Sequence, residues 1–269
     1  MGLLTNALRD EFKSTKCGTE YTVPTICCGI DVLDYRNGKV TINDNGEEEF
    51  VLGFDCGKII QLIGKSGSSK TTLAIQMAYN MIKPFAEGTV VHKDFERSTT
   101  IERLMNLTGA ESEEELKSFY IHHIKDICTE EAFDTVKAIK NTKLGKGAGK
   151  GKNATKYDQD LIDSLTYENP WKPGHTLLVP TVYLIDSLAT MMPRDAIDED
   201  KMSGQMQAAS VAKQNTQWFK ALLSDFMDAN IIPIIINHIT QKISINPMQP
   251  LSAEIPFLKQ DEGLPGTRF

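Results

Sequence analysis

Cysteine is scarce in this chain: five residues in 269 (Cys17, Cys27, Cys28, Cys56 and Cys128), an odd set with no C-x-x-C pair. That pattern excludes a disulfide framework and a thiolate zinc site, and reads as reduced thiols in a cytosolic protein. No apolar run approaches the length of a membrane span. The N-terminus lacks a charged start followed by a long apolar stretch, so the expectation is a soluble, non-exported chain without membrane partners. Excess positive charge is missing too. Lys and Arg number 29 against 36 Asp and Glu, a net charge of -7, which excludes a protein that coats nucleic acid through bulk charge and confines any polyanion contact to a local patch. The length suits one large α/β domain with a real core.

What is present is concentrated at residues 58–72, K-I-I-Q-L-I-G-K-S-G-S-S-K-T-T. An apolar, β-type run opens into a Gly/Ser-rich turn, and from Gly64 the spacing reads G-x-x-x-x-S-K-T. This is a phosphate-binding loop in which Ser69 stands where a last glycine usually sits. Main-chain N–H groups across Gly64, Lys65, Ser66, Gly67, Ser68, Ser69 and Lys70 would wrap a polyphosphate. The positive end of the following helix would assist, and Lys70 would reach the terminal phosphates. Thr71, in the motif position, or Thr72 would hold Mg²⁺. Leu73, Met77 and Met81 recur at helical spacing, so a buried helix is expected after the loop.

Five apolar, β-branched runs (58–63, 88–92, 118–122, 181–185 and 231–236) alternate with helical patterns. Such alternation predicts an α/β fold with a mostly parallel sheet and helices on both faces. Thr99-x-x-Glu102 and Ser112-x-x-Glu115 read as capping boxes. A helix over about 208–228 is expected to pack Trp218, Leu222 and Phe226 into the core. Three segments depart from the alternation. Residues 1–24 read as an N-terminal arm, and residues 36–54, around Asn45-Gly46, as a β-hairpin insertion. Residues 137–156 hold seven lysines and no acid, and open a basic flexible insertion over 137–176 that is either a salt-sensitive DNA contact or a solvated linker.

Hydrolysis needs a carboxylate to organise a metal and a group to activate water. T-V-Y-L-I-D (181–186) supplies the first, an apolar strand ending in Asp186 at the sheet's C-terminal edge. The run T-V-V-H-K-D-F-E (89–96) ends in Asp94 and Glu96, on one side of an extended segment. Glu96, further out, is the candidate general base. I-I-P-I-I-I-N-H (231–238) ends in Asn237 and His238, either of which could sense a γ-phosphate.

Taken in order, G-I-D-V-L-D, the phosphate loop, D-F-E, V-Y-L-I-D-S-L-A and I-I-I-N-H resemble the ATPase core of RecA-type strand-exchange recombinases, most of all the tailed-phage UvsX-like branch. The resemblance covers roughly residues 25–269 outside the insertions. It implies a RecA-like P-loop NTPase core that uses ATP and Mg²⁺. In that scheme Lys70 and Thr71 are the phosphate and Mg²⁺ ligands, Asp186 holds the metal, Glu96 is the catalytic base, and His238 takes the place of a sensing glutamine. Arg103 falls where relatives place a side chain on adenine. Two DNA-facing loops are implied, about 190–206 with Arg194 and Lys201, and about 239–265 with Lys242, Phe257 and Lys259. The second loop is either a DNA contact or a subunit contact.

The partners implied are single-stranded and double-stranded DNA, further copies of the chain in a filament, and a mediator or single-strand-binding protein. The setting implied is a bacterial cytoplasm, with a phage gene as source. The family goes on to further sheet strands where this sequence stops, so a longer native chain is expected. Two other readings stay open: a ring-forming, replicative-helicase-like ATPase on the same core, and an ATP-binding, DNA-binding assembly factor with little turnover.

Overall fold

The protein was analysed as a computed structural model that describes residues 24–42, 45–124, 128–145, 163–168, 174, 176–194, 204–241 and 262–263. In chain order, β1 (Thr25–Ile26), α1 (Asp31–Asn37), β2 (Lys39–Ile42), β3 (Glu48–Val51) and β4 (Phe54–Asp55) precede the main sheet. Strand β5 (Ile60–Gly64) and α2 (Lys70–Ile82) flank the phosphate loop, followed by β6 (Thr89–Asp94), α3 (Ile101–Thr108), α4 (Glu113–Phe119), β7 (Tyr120–His123) and α5 (Thr129–Lys143). The rest comprises β8 (Thr166–Glu168), β9 (Thr176–Leu178), β10 (Thr181–Asp186), α6 (Gly204–Asp228), β11 (Ile231–His238), β12 (Thr240–Gln241) and β13 (Glu262–Gly263).

Five of these strands form one parallel sheet in the order β5-β11-β10-β6-β7. Side chains of β10 and β11 alternate between its two faces, because successive strand residues point to opposite sides. Val182, Leu184, Ile232, Ile234 and Ile236 pack with Ala74, Met77 and Ala78 of α2 on one face. Tyr183, Ile185, Ile231 and Ile235 pack with Val136 of α5 and with Trp218, Leu222 and Phe226 of α6 on the other. Both faces are covered, so β10 is buried along its whole length, as parallel strands under crossover helices must be. This is the α/β architecture that the strand alternation predicts. Pro233 is accommodated inside β11 because β5 joins the ladder only from Ile234 onward, and there one flank asks for no N–H donor.

Two local details differ from the sequence reading. Helix α3 is capped by Thr100, whose hydroxyl accepts from the Arg103 N–H, one residue later than the T-x-x-E spacing implies. The Thr99 N–H is committed to Asp94 instead. Ser112 does cap α4, accepting from Glu115 N–H at 3.1 Å.

The basic segment is corrected more substantially. Its first seven residues, 137–143, are the end of helix α5 and not a loop. Lys137, Lys140 and Lys143 are spaced by three and share one helical face. Lys137 and Lys140 both pair with Asp225 on α6, and Lys140 also reaches Asp228 at 2.8 Å. Lys143 is buried, donating to the carbonyls of Val179 (2.6 Å), Ala229 (2.9 Å) and Asn230 (3.4 Å). Burial pushes its amine down to about 7, while three carbonyl acceptors oppose that push by favouring the protonated form. The Lys143 amine thereby clamps the end of α5 to the bottom of β10 and β11. Replacing it by methionine keeps the stem and removes the donors. Lys143→Met is expected to lose about 1–3 kcal/mol at pH below 7, where the amine is protonated, because the carbonyls of Val179 and Ala229 lose this donor; urea unfolding with an unchanged midpoint at pH 6 would contradict this.

Residues 36–54 include β2 and β3, an antiparallel pair from Lys39↔Val51 to Ile42↔Glu48. Among the described residues no helix is long and apolar enough to cross a membrane.

Candidate active site

The C-terminal ends of β5, β11, β10 and β6 converge on one edge, which is where a parallel sheet presents its ligands. Strand β5 delivers the phosphate loop. Residues 65–69 are exposed, whereas Lys70, the first residue of α2, is buried. Its ammonium bends back to the loop, donating to the Lys65 carbonyl at 2.7 Å and lying 3.4 Å from Ser68 Oγ. A Cβ on Gly64 would meet Ser68 Oγ at 2.8 Å, so a larger residue there would turn that hydroxyl aside. At Gly67, with φ of +76°, nothing lies within 4 Å of where a Cβ would be, so the mouth of the loop is open.

Ser69 has a left-handed backbone (φ 59°, ψ 23°) and its side chain makes no capping hydrogen bond. An L-residue in this region costs about 1–2 kcal/mol, and glycine gives part of that back as unfolded-chain entropy. Ser69→Gly is therefore expected to stabilise the ligand-free protein by roughly 0.5–1 kcal/mol, read as a rise in melting temperature. An unchanged or lower value would show that the hydroxyl does something beyond the backbone geometry.

Behind the loop, Thr71 Oγ1 donates to Asp186 Oδ2 at 2.7 Å, bringing together two residues 115 positions apart. The other oxygen of Asp186, Oδ1, is buried with no hydrogen-bond partner. Burial, followed by the charges of Glu96 and Asp94, raises this carboxyl to about 6, against the opposing effects of the Thr71 hydroxyl and His238. An acid whose charge is poorly compensated, beside a hydroxyl and a phosphate loop, is a donor set that fits Mg²⁺ carried by a triphosphate. Thr71 Oγ1 and Asp186 are the residues that would hold it.

Glu96 sits just beyond β6. Its N–H and that of Phe95 donate to the Asp186 carbonyl at 3.2 and 2.6 Å, which ties this turn to β10. Glu96 Oε1 accepts from Ser187 Oγ at 2.6 Å and lies 2.6 Å from His238 Nε2. The pair is partly exposed, with side-chain exposures of 26% for Glu96 and 21% for His238, so water reaches it. Asn237 is fully buried and its Oδ1 accepts from the His238 N–H. Arg103 of α3 donates to Thr72 Oγ1 at 2.8 Å, which places the guanidinium beside the first turn of α2. Sequence reasoning missed Ser187. Its one sequence signal was adjacency to the strand-terminal acid Asp186.

A second layer of polar groups lies beneath. Asp94 accepts from the N–H groups of Ser98 and Thr99, and His122 Nε2 is 3.3 Å away. Burial pushes the Asp94 carboxyl up, but the hydrogen bonds from His122 and Thr99 outweigh it and the net value is lowered. His92 is fully buried, with Nδ1 3.0 Å from the Tyr120 hydroxyl. Burial, and then the neighbouring His122, lower it to about 3, so it is a neutral imidazole.

Arg194 is the one expected DNA contact among the described residues. Its N–H donates to Glu130 and its guanidinium lies 3.8 Å from the Cys128 thiol. Lys201, Lys242, Phe257 and Lys259, all of the 1–24 arm but residue 24, and most of the 137–176 insertion beyond residue 145 lie outside the described residues. After His238 the chain enters β12, which pairs with β13 in antiparallel fashion (Thr240↔Gly263, Gln241↔Glu262), so the two ends of the segment between them are tied together. A cavity of about 440 Å³ flanks β5, lined by Leu33, Phe54, Ile60, Leu62 and Met77 among others, and shares no residue with the phosphate loop.

No protein-family model matches the sequence, and no curated protein matches it. Among solved structures the chain is similar to one described as the crystal structure of the RadB recombinase. The identity is 22%, over 73% of this chain and 68% of that one, with a TM-score of 0.38. Likeness at that level assigns no role to any residue here.

Proposed function

We propose that the chain is an ATPase of the RecA recombinase type, which binds ATP with Mg²⁺ at residues 64–72 and couples its hydrolysis to work on DNA. The observation that carries this reading is the convergence of two contacts on one sheet edge. Thr71 meets Asp186 beside the phosphate loop, and Glu96 meets His238 next to them.

In this reading the loop amides and Lys70 bind the β- and γ-phosphates. The Lys70 ammonium exchanges its bond to the Lys65 carbonyl for phosphate oxygens, at little cost because both are hydrogen-bond acceptors. Bound Mg²⁺ would neutralise charge on the β- and γ-phosphate oxygens. The Thr71 hydroxyl, which donates to Asp186, would offer a lone pair to the ion. Glu96 orients a water with Oε2, because both of its hydrogen bonds use Oε1. As that water attacks the γ-phosphorus, the carboxylate takes its proton and the bond from the γ-phosphorus to the β,γ-bridging oxygen breaks, so that ADP leaves and phosphate is formed. Ser187 holds Glu96 in place. His238 reaches a γ-phosphate only by releasing Glu96, so arrival of the nucleotide is felt at the end of β11 and passed to the segment that follows.

The order of motifs along the chain supports the finer reading, a filament on single-stranded DNA that promotes homologous pairing and strand exchange. Arg194, Lys201, Lys242, Phe257 and Lys259 are the proposed DNA contacts, and Arg103 the residue nearest the base. The test is phosphate release with and without single-stranded DNA, together with electron microscopy of the ATP-bound protein on DNA. DNA-stimulated release that Lys70→Ala abolishes, with helical filaments, is expected. Closed rings would favour the helicase-like alternative, and DNA binding without release above the Lys70→Ala control would favour the assembly factor.

A further inference from the structure

Beneath the nucleotide edge, His92, Asp94 and Asp186 bring one imidazole nitrogen and two carboxylate oxygens within 4.8 Å of one another, all three residues fully buried. They come together because β6 and β10 run in register, with Leu184 beside His92 and Asp186 beside Asp94. The strand period of two puts all four side chains on the α2 face. Two buried carboxylates this close, with Glu96 adding to the field on Asp186, form a concentration of negative charge that proteins ordinarily compensate with a cation.

Two of the three residues each have an atom without any partner. His92 Nε2 and Asp186 Oδ1 are buried and make no hydrogen bond, a costly arrangement that a native interior rarely keeps without a ligand. The supporting bonds are those of a metal centre. His92 engages the Tyr120 hydroxyl through Nδ1 at 3.0 Å, which fixes the ring and leaves Nε2 free, as the outer hydrogen bond of a ligating histidine does. Asp94 is held by two main-chain amides and faces His122.

We propose that His92, Asp94 and Asp186 form an inner metal site for a first-row transition ion of the Mn²⁺, Fe²⁺ or Zn²⁺ class, separate from the Mg²⁺ that accompanies the nucleotide. The imidazole ligand sets this class, because Mg²⁺ takes oxygen ligands and mixed nitrogen and oxygen sites favour transition ions. Asp186 serves both positions with different oxygens. Oδ2 faces Thr71 and the nucleotide, and Oδ1 faces the inner ion. The site does not depend on the proposed ATPase function, and its failure would leave that function standing.

The probe is Mn²⁺ added to the nucleotide-free protein and followed by electron paramagnetic resonance. A single bound Mn²⁺ per chain is expected, with ¹⁴N modulation from a directly coordinated imidazole in the pulsed spectrum. His92→Gln should abolish that modulation, and His238→Gln should leave it. Tyr120→Phe conserves volume and removes only the bond to Nδ1, and should weaken Mn²⁺ binding about 10–100-fold. This variant decides the matter if His92→Gln does not fold. No bound Mn²⁺, oxygen ligation alone, modulation that survives His92→Gln, or unchanged affinity in Tyr120→Phe would each overturn the site.

Discussion

Glu96→Gln is expected to lower the rate of ATP hydrolysis on the order of 10²–10⁴-fold, the usual contribution of a positioned general base, while leaving Mg²⁺-ATP bound. The amide has nearly the carboxylate's shape. Its oxygen can still accept from Ser187 Oγ, so the turn after β6 keeps the bonds that tie it to Asp186. What it loses is the ability to take a proton. Nucleotide affinity by calorimetry and phosphate release on the same preparation separate the two effects. A variant that hydrolyses ATP at the parental rate would move the base elsewhere, and one that fails to bind nucleotide would make Glu96 a structural residue of the pocket.

The second large effect concerns stability and has the opposite sign to intuition. Asp186→Asn should make the protein more stable when metal and nucleotide are absent. The folded carboxyl titrates at about 6 against an ordinary 3.8. Between those pH values the folded protein holds a proton that the unfolded chain has released, so stability falls as pH rises through that window. Above about pH 6 the whole cost of the buried charge is present. Asparagine avoids it and still accepts from Thr71. A gain on the order of 2 kcal/mol is expected at pH 7, shrinking toward zero as pH drops to about 4. Denaturant unfolding from pH 4 to 8 in the presence of a chelator measures it. Excess Mg²⁺ with a nucleotide should reverse the order, since only the aspartate is stabilised by the ion. Equal stability at pH 7, or a difference that does not vary with pH, would contradict the charge argument.

The sheet was most legible at β10 and β11, near-continuous apolar, β-branched runs of the kind that burial on both faces imposes, and least at the edge strand β7, Tyr-Ile-His-His, which is only partly buried. The phosphate loop was legible because its spacing is dictated by main-chain geometry. The lysines of α5 were misread for an instructive reason. Composition alone made 137–156 look solvated, yet the interval of three between Lys137, Lys140 and Lys143 is helical, and the partners at Asp225 and Asp228 lie more than 80 positions away. Long-range pairing of that kind leaves no local trace. Thr99 and Thr100 illustrate a finer limit, since adjacent residues of the same type compete for one cap and the winner is set by Asp94, which takes the Thr99 amide. His92 went unnoticed as a candidate ligand although its offset of two from Asp94 places it on the same face. A histidine inside a strand ordinarily reads as packing, and only the register with β10 brings Asp186 beside it.

The central claim is that a triphosphate lies in the loop between β5 and α2 with its metal on Thr71 and Asp186. A structure determined with a nonhydrolysable ATP analogue and Mg²⁺ tests it most directly. The expected result is phosphate oxygens within hydrogen-bond distance of the amides of residues 64–70, the Lys70 ammonium released from the Lys65 carbonyl, and the ion against Thr71 Oγ1. An analogue bound elsewhere, or a loop that stays closed on Lys70 at saturating nucleotide, would contradict the account.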